Sequence, residues 1–349
     1  TLFNSQNYLN IDTFYNMVIE LDVEEDLVDF CSFLKLFAKS YMVSSELLSF
    51  FREKYGDRYI KVVDLLDDLV QIDLKVAFES ASDNINVEKL CNYCIDNSGD
   101  KIIELDKIVF ENYELFSKFD FELCLQILEN KGEKYYLLPE FWGCETRNQA
   151  IGKYTYMYEE LLVDKNESNE DFMWVELAFF PKKYRAANIM LSKTTCQGVL
   201  NYGVANFTEG KSNVDVEEIY VGIENGKFVF WSTQFKKELK FTVSNLIDIK
   251  FMPPLVAFLY EATQKQYCSI FNLLNIIAKV KATQRHIPRI VYKRFIICPE
   301  TWIIRYHDVK FSEVEFVSYI KKLVINNKVM MCNDEGCLCI DLNNEFQIQ

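Results

Sequence analysis

The residues best able to do chemistry in this chain are cationic. Between Lys281 and Trp302 the sequence runs Lys-Ala-Thr-Gln-Arg-His-Ile-Pro-Arg-Ile-Val-Tyr-Lys-Arg-Phe-Ile-Ile-Cys-Pro-Glu-Thr-Trp. Lys281, Arg285, His286, Arg289, Lys293 and Arg294 crowd that stretch. Arginine suits bidentate contact with phosphate or carboxylate, so an anion is the natural guest. The same composition also fits a surface strand with alternating charges. A second basic cluster, Lys182-Lys183-Tyr184-Arg185-Ala186-Ala187-Asn188, follows a strongly apolar stretch.

Other chemistries have little material. With only two histidines, His286 and His307, a serine–histidine or cysteine–histidine nucleophile has almost no base to draw on. The eleven glycines form neither a G-x-G-x-x-G nor a Walker loop, which argues against nucleotide-driven or nicotinamide chemistry. Cys91-Asn92-Tyr93-Cys94, with Cys332, Cys337 and Cys339, has the atoms for a tetrahedral zinc site. The spacing of the last three is not that of a zinc knuckle, and the first pair falls on a predicted helix. The eleven cysteines therefore read as packed, reduced thiols of a cytoplasmic protein, with no metal expected. The acidic runs Asp22/Glu24/Glu25/Asp26, Asp67/Asp68 and Asp215/Glu217/Glu218 read as solvated faces.

The chain has 349 residues, half of them hydrophobic and 15% aromatic, enough for a sizeable core. Asp plus Glu number 52 against 38 Lys plus Arg, a net of −14. Such a chain repels phosphates at long range, so any nucleic acid must be met by a local basic patch. No apolar run approaches the roughly 18 residues of a membrane span. No basic segment followed by an apolar one marks a secretory signal at the start.

The elements that must position these residues divide into two parts. Residues 8–56 read as helices: Leu27, Phe30, Leu34 and Phe37 recur at helical spacing. Ser44-Ser45-Glu46-Leu47 looks like a helix start and Gly56 like its stop. A further helix is expected over 87–97, with a loop over 80–86. From about 130 the period changes. Strands are expected over 134–138, 172–180 and 237–243. A hairpin is expected over 217–232 around Glu224-Asn225-Gly226. Helices are expected over 148–162, 255–260, 270–280 and 313–324. The basic stretch around 290–297 is expected as one inner strand, and 328–342 as a closing hairpin. The class is α+β, with a mainly helical part over 1–130 and a mostly antiparallel sheet with packed helices over 131–349.

The collinear order of several motifs resembles the N-terminal, glutamylating part of the lantibiotic dehydratases. Phe50-Phe51-Arg52-Glu53-Lys54-Tyr55-Gly56-Asp57 followed by Val62-Val63-Asp64-Leu65-Leu66-Asp67 resembles the family's F-x-E-K-Y-G … V-x-L-L-E-L-L-D segment. Tyr135-Tyr136-Leu137-Leu138-Pro139 through Ala150-Ile151-Gly152-Lys153-Tyr154 resembles its Gly-Arg-Phe segment, with Lys-Tyr for Arg-Phe. Glu176-Leu177 and Arg185-Ala186-Ala187-Asn188-Ile189 resemble its R-x-x-N-V element. Ile219 to Ile223 with Gly226-Lys227-Phe228 resembles its D-L-x-V-G hairpin, and Pro288-Arg289-Ile290 through Trp302 its P-R-V-x-Y … W element. Phe241-Thr242-Val243-Ser244-Asn245 stands where the family has L-T-x-x-H-N, without the histidine.

The resemblance implies transfer of glutamate from glutamyl-tRNA, as co-substrate, to Ser/Thr side chains of a precursor peptide, without other cofactor. Arg289, Arg185 and Asn188 would be the catalytic residues. Lys281, Arg285, His286, Lys293, Arg294, Lys182 and Lys183 would bind the tRNA or the glutamyl group. The family's R-x-[ST]-P-F-G motif and its elimination domain are not found in this sequence, so the expected partners include the missing dehydratase segments or a partner chain, with a homodimer as one assembly. Two rivals stand beside this: a non-catalytic module that binds a leader peptide by strand addition, and a piece of an aminoacyl-tRNA-dependent peptide ligase.

Overall fold

The computed structural model describes residues 24–38, 41–69, 72, 77–80, 84–111, 122–123, 125–130, 132–138, 143–144, 149, 152, 172–183, 194–204, 210–264, 272–303, 318–322, 328–333, 336–341 and 343. In chain order the first elements are α1 (Glu24–Lys35), β1 (Tyr41–Val43), α2 (Ser45–Tyr55), β2 (Ile60–Lys61), α3 (Leu66–Leu69), β3 (Phe78–Ser80), α4 (Ile85–Asp96) and β4 (Ile102–Glu104). Next come β5 (Glu122–Leu123), β6 (Gln126–Asn130), β7 (Glu133–Leu137), β8 (Gly143–Cys144), β9 (Phe172–Phe179), β10 (Gly198–Tyr202), β11 (Ser212–Asn213), β12 (Ile219–Glu224), β13 (Lys227–Ser232) and β14 (Lys237–Thr242). The last are α5 (Pro254–Gln264), α6 (Asn272–Thr283), β15 (His286–Ile287), β16 (Arg289–Tyr292), β17 (Phe295–Cys298), β18 (Thr301–Trp302), β19 (Lys328–Asn333) and β20 (Gly336–Asp341). The fold is α+β.

Local chemistry sets several boundaries where the sequence signals place them. The Ser44 hydroxyl accepts the Leu47 N–H at 3.3 Å and starts α2; Gly56, at φ 71°, stops it. Asn225 and Gly226 take φ 52° and 75°, the left-handed pair that a tight β12–β13 turn requires. The expected helix over 148–162 lies outside the described residues, apart from residues 149 and 152. Of 313–324, residues 318–322 are described and are helical.

Among the described residues, one sheet has seven strands in the order β11-β10-β9-β14-β13-β12-β2, and another has five in the order β4-β16-β17-β7-β6. In the larger sheet β9 runs parallel to both β10 and β14, while β12, β13 and β14 form an antiparallel meander. Its core face carries Met173, Val175, Leu177, Phe230, Leu239 and Phe241, packed against α2, α3 and the apolar α5. The smaller sheet buries Ile103, Tyr136, Ile290, Phe295 and Ile297 against α1, α4 and α6. Both cores draw on residues from either side of position 130: β2 extends the larger sheet and β4 the smaller.

Three expectations need correction. Residues 41–43 form a strand inside the stretch read as helical. Asp68 is no solvated acid: it is buried, accepting hydrogen bonds from Lys54 Nζ at 2.5 Å and from the Tyr55 hydroxyl. The basic stretch is a β16–β17 hairpin rather than one strand, because the chain reverses at Lys293-Arg294. Lys293 has φ 49°, a conformation usually left to Gly, Asn or Asp, so nothing in its residue type announces the turn.

Candidate functional site

The β16–β17 hairpin carries Arg289, Lys293 and Arg294, and its neighbours spend two of them. Lys293 Nζ pairs with Asp29 at 2.5 Å, and Arg294 pairs with Asp26, both on α1. The Tyr292 hydroxyl donates to Asp29 at 3.0 Å. Beneath these pairs Phe30 stacks on Phe295 at 4.1 Å, and Phe33 on Tyr292 at 4.1 Å. The Lys293 hydrogen bond holds the Asp29 carboxyl below its ordinary range. Asp26 thus belongs to an interface rather than to a solvated face. His286 Nε2 lies 3.1 Å from Glu300, and its ring packs on Trp302 at 4.8 Å. Lys281 is half-buried in the last turn of α6. Arg285 is exposed beside β15, its backbone carbonyl accepting the Ile303 N–H at 2.8 Å. Arg289 differs. It is exposed at the start of β16, paired in register with Ile102 of β4, and makes no ion pair with any described residue.

The second basic cluster lies at the carboxyl end of β9. Three parallel strands, β10, β9 and β14, end on this side. Open α/β sheets commonly bind ligands at such strand ends. The chain leaving β14 continues alongside β9 and is pinned twice. Glu176 of β9, only 7% exposed, accepts the Ser244 N–H at 2.6 Å and its hydroxyl at 2.8 Å. It also accepts the Thr194 hydroxyl at 3.3 Å and lies 3.8 Å from Cys196 Sγ. Further on, the Lys182 N–H donates to the Phe251 carbonyl at 2.8 Å. Gly152 lies against the Ser244 carbonyl so closely that an added Cβ would overlap it. The Ser244 hydroxyl is therefore spent on Glu176. Lys183 Nζ and Lys250 Nζ each lie 5.0 Å from the Phe251 ring centre.

Arg185 and Asn188 lie outside the described residues. Of the predicted site residues, the structure sets Lys182 and Lys183 together at this corner and Lys293 and Arg294 together against α1. Arg289 stands at the opposite end of β16 from the Lys293–Arg294 turn. Residue types alone did not single out Glu176, Lys250 or Phe251 as members of one site; what joins them is strand pairing across long sequence separations.

Among the described residues, no group of three or more His, Cys, Asp or Glu side chains could hold a metal ion. Cys91 and Cys94 sit on α4. Burial pushes the Cys94 thiol up to about 12, the signature of a packed thiol rather than a nucleophile. No helix of the described residues is long and apolar enough to cross a membrane.

The family profile described as "Lantibiotic dehydratase, N terminus" matches residues 144–349, and the chain belongs to that family. Among characterised relatives it is 21% identical to the nisin biosynthesis protein NisB of Lactococcus lactis subsp. lactis, aligning over 100% of this chain and 38% of NisB. It is 23% identical to the epidermin biosynthesis protein EpiB of Staphylococcus epidermidis, over 99% of this chain and 37% of EpiB. The chain thus spans less than two fifths of the length of these relatives. Its fold is that of the tRNA-dependent lantibiotic dehydratase MibB from Microbispora sp. 107891, at TM-score 0.69 and 15% identity, over 93% of this chain and 35% of MibB. It also follows the glutamylation domain TbtB from thiomuracin biosynthesis, solved with 5'-phosphodesmethylglutamycin, at TM-score 0.59 and 12% identity, over 93% of this chain and 44% of that one.

Proposed function

We propose that this chain forms part of the site where glutamyl-tRNA gives its glutamyl group to Ser or Thr side chains of a ribosomally made precursor peptide. The step is an ester exchange. The peptide hydroxyl oxygen bonds to the glutamyl carbonyl carbon, the ester bond to the tRNA ribose breaks, and the hydroxyl proton ends on the ribose oxygen. The observation that carries this reading is Arg289, an exposed guanidinium inside the P-R-I-x-Y element, its charge unspent among the described residues. Arg289 and Arg185 hold phosphate or the glutamyl carboxylate, and Asn188 orients that end. The step calls for no cofactor besides the tRNA co-substrate. It places the protein in the cytoplasm, where aminoacyl-tRNA is made, working with dehydratase segments outside this chain or on a partner.

Filter binding with glutamyl-tRNA tests the reading. The expected result is salt-dependent binding that Arg289→Ala with Arg185→Ala weakens while flattening the salt slope. Absent binding, or binding indifferent to salt and to the double variant, overturns it.

A second reading, capture of a leader peptide without catalysis, is favoured by β6. Among the described residues this strand is an edge of the smaller sheet, and Ile127 and Leu128 are 39% and 40% exposed. An extended peptide adds readily to such an edge. Calorimetry with the precursor peptide encoded beside this chain's gene, in the absence of tRNA, separates the two: strong heat of binding there, with none for tRNA, favours the second.

A further inference from the structure

We infer that Lys250 and Phe251, with Lys182 and Lys183, form a phosphate-binding corner for a single-stranded RNA end. This rests on the tRNA reading and extends it to residues outside the predicted set. Three observations meet here. The first is position: the corner caps the carboxyl ends of the parallel strands β9 and β14, next to the segment that leads into Arg185 and Asn188. The second is construction. The Lys182 N–H to Phe251 carbonyl bond and the Glu176 grip on Ser244 fix the chain leaving β14 alongside β9, which brings residues far apart in sequence to one place. The Phe251 ring then lies 5.0 Å from each of two ammonium groups, so Lys183 and Lys250 are drawn toward one aromatic rather than spread in solvent.

The third is charge. Lys182, Lys183 and Lys250 are all exposed. The carboxylate facing Lys250 is Asp248, at 2.5 Å, and that pair is open to water on both sides. Solvent screening makes it weak, so an incoming phosphate can displace it. The partner carboxylates of the Lys293–Arg294 turn lie instead on a helix docked through stacked aromatic rings. An acidic protein holds RNA only where a local cluster outweighs the overall field, and this corner supplies one. A half-buried ring between lysines is also the combination that tracks an unpaired strand, with phosphates on the ammonium groups and a base against the aromatic edge.

The experiment measures salt-dependent affinity of the full chain for two probes, glutamyl-tRNA and a short oligouridylate, in wild type, Lys250→Ala, Lys183→Ala with Lys250→Ala, Lys250→Arg, Lys89→Ala as a surface control, and Arg289→Ala. The expected result is a fall in the slope of log K against log salt of about 0.7 for each corner lysine removed, with both probes. Lys250→Arg restores it and Lys89→Ala leaves it unchanged. If the corner variants bind like wild type while Arg289→Ala weakens tRNA binding, the corner is overturned and the tRNA reading stands. If oligouridylate binds through the corner lysines but tRNA does not bind, the corner stands and the tRNA reading falls. If neither probe binds wild type, both fall.

Discussion

The Lys293–Arg294 turn and the Lys182–Lys183 corner carry the same kind of charge and meet different surroundings. At the turn, Asp29 and Asp26 of α1 answer both cations, and Phe30 and Phe33 stack beneath them. There the charges help dock a helix on a hairpin. At the corner, the buried carboxylate Glu176 accepts from Ser244 and Thr194, and Lys250 meets Asp248 in a pair that is open to water. The ammonium groups above stay at the surface around Phe251. A count of basic residues along the sequence favours the turn. The corner gathers Lys182 and Lys183 with Lys250 from a distant segment, and all three face water. Density of charge in sequence therefore says less about an anion site than where the opposite charges lie.

The contrast can be broken at several points. The largest effect is expected at Phe30, which is fully buried and stacked on Phe295. Phe30→Ala should cost about 3–5 kcal/mol in denaturant unfolding, and a cost below about 1 kcal/mol would mean that α1 does not anchor the hairpin. Next is Glu176. Glu176→Ala strands the Ser244 N–H and hydroxyl in a buried place, at about 1–3 kcal/mol for each group left unpaired. Unlike Phe30→Ala, it should also weaken RNA binding by loosening the corner; urea melts and filter binding on the same samples check both.

The acid limb of stability offers a smaller test. Hydrogen bonds, first from Lys54 and then from Tyr55, hold the Asp68 carboxyl below its ordinary 3.8, and Lys293 does the same for Asp29. A carboxyl whose folded pKa is depressed contributes stability that is present above about 3.8 and is lost as pH falls through the folded value. Asp68→Asn should flatten the loss of stability below pH 4 more than Asp29→Asn, because the Asp68 side chain is 11% exposed and that of Asp29 is 40%. The reverse order in pH-dependent melts would mean that the α1 pairs are the better shielded. The smallest effect belongs to Asp26→Asn with Asp29→Asn. The partly exposed pairs should cost no more than about 1 kcal/mol together. Removing these two carboxylates from beside Lys293 and Arg294 should then steepen the salt dependence of RNA binding; an unchanged slope would show that the turn takes no part even without them.

Much of this molecule was legible without coordinates, for local reasons. Ser44 and Gly56 bound α2, Asn225-Gly226 turns β12 into β13, and the apolar spacing from Leu27 to Phe37 makes α1, because capping, left-handed backbone and helical periodicity act between residues a few positions apart. The family was legible too, and the match over residues 144–349 bears it out. What only the tertiary structure decided is which charges remain available. Lys293 carries a positive φ with no glycine or asparagine to mark it, and its partner Asp29 lies on a helix from the far end of the chain. Phe251 meets Lys182 only because β14 lies parallel to β9. Ion pairing and strand pairing depend on distance in space, and a sequence records only order along the chain. The basic residues could be read directly; their neutralisation at one place and their exposure at another followed from packing.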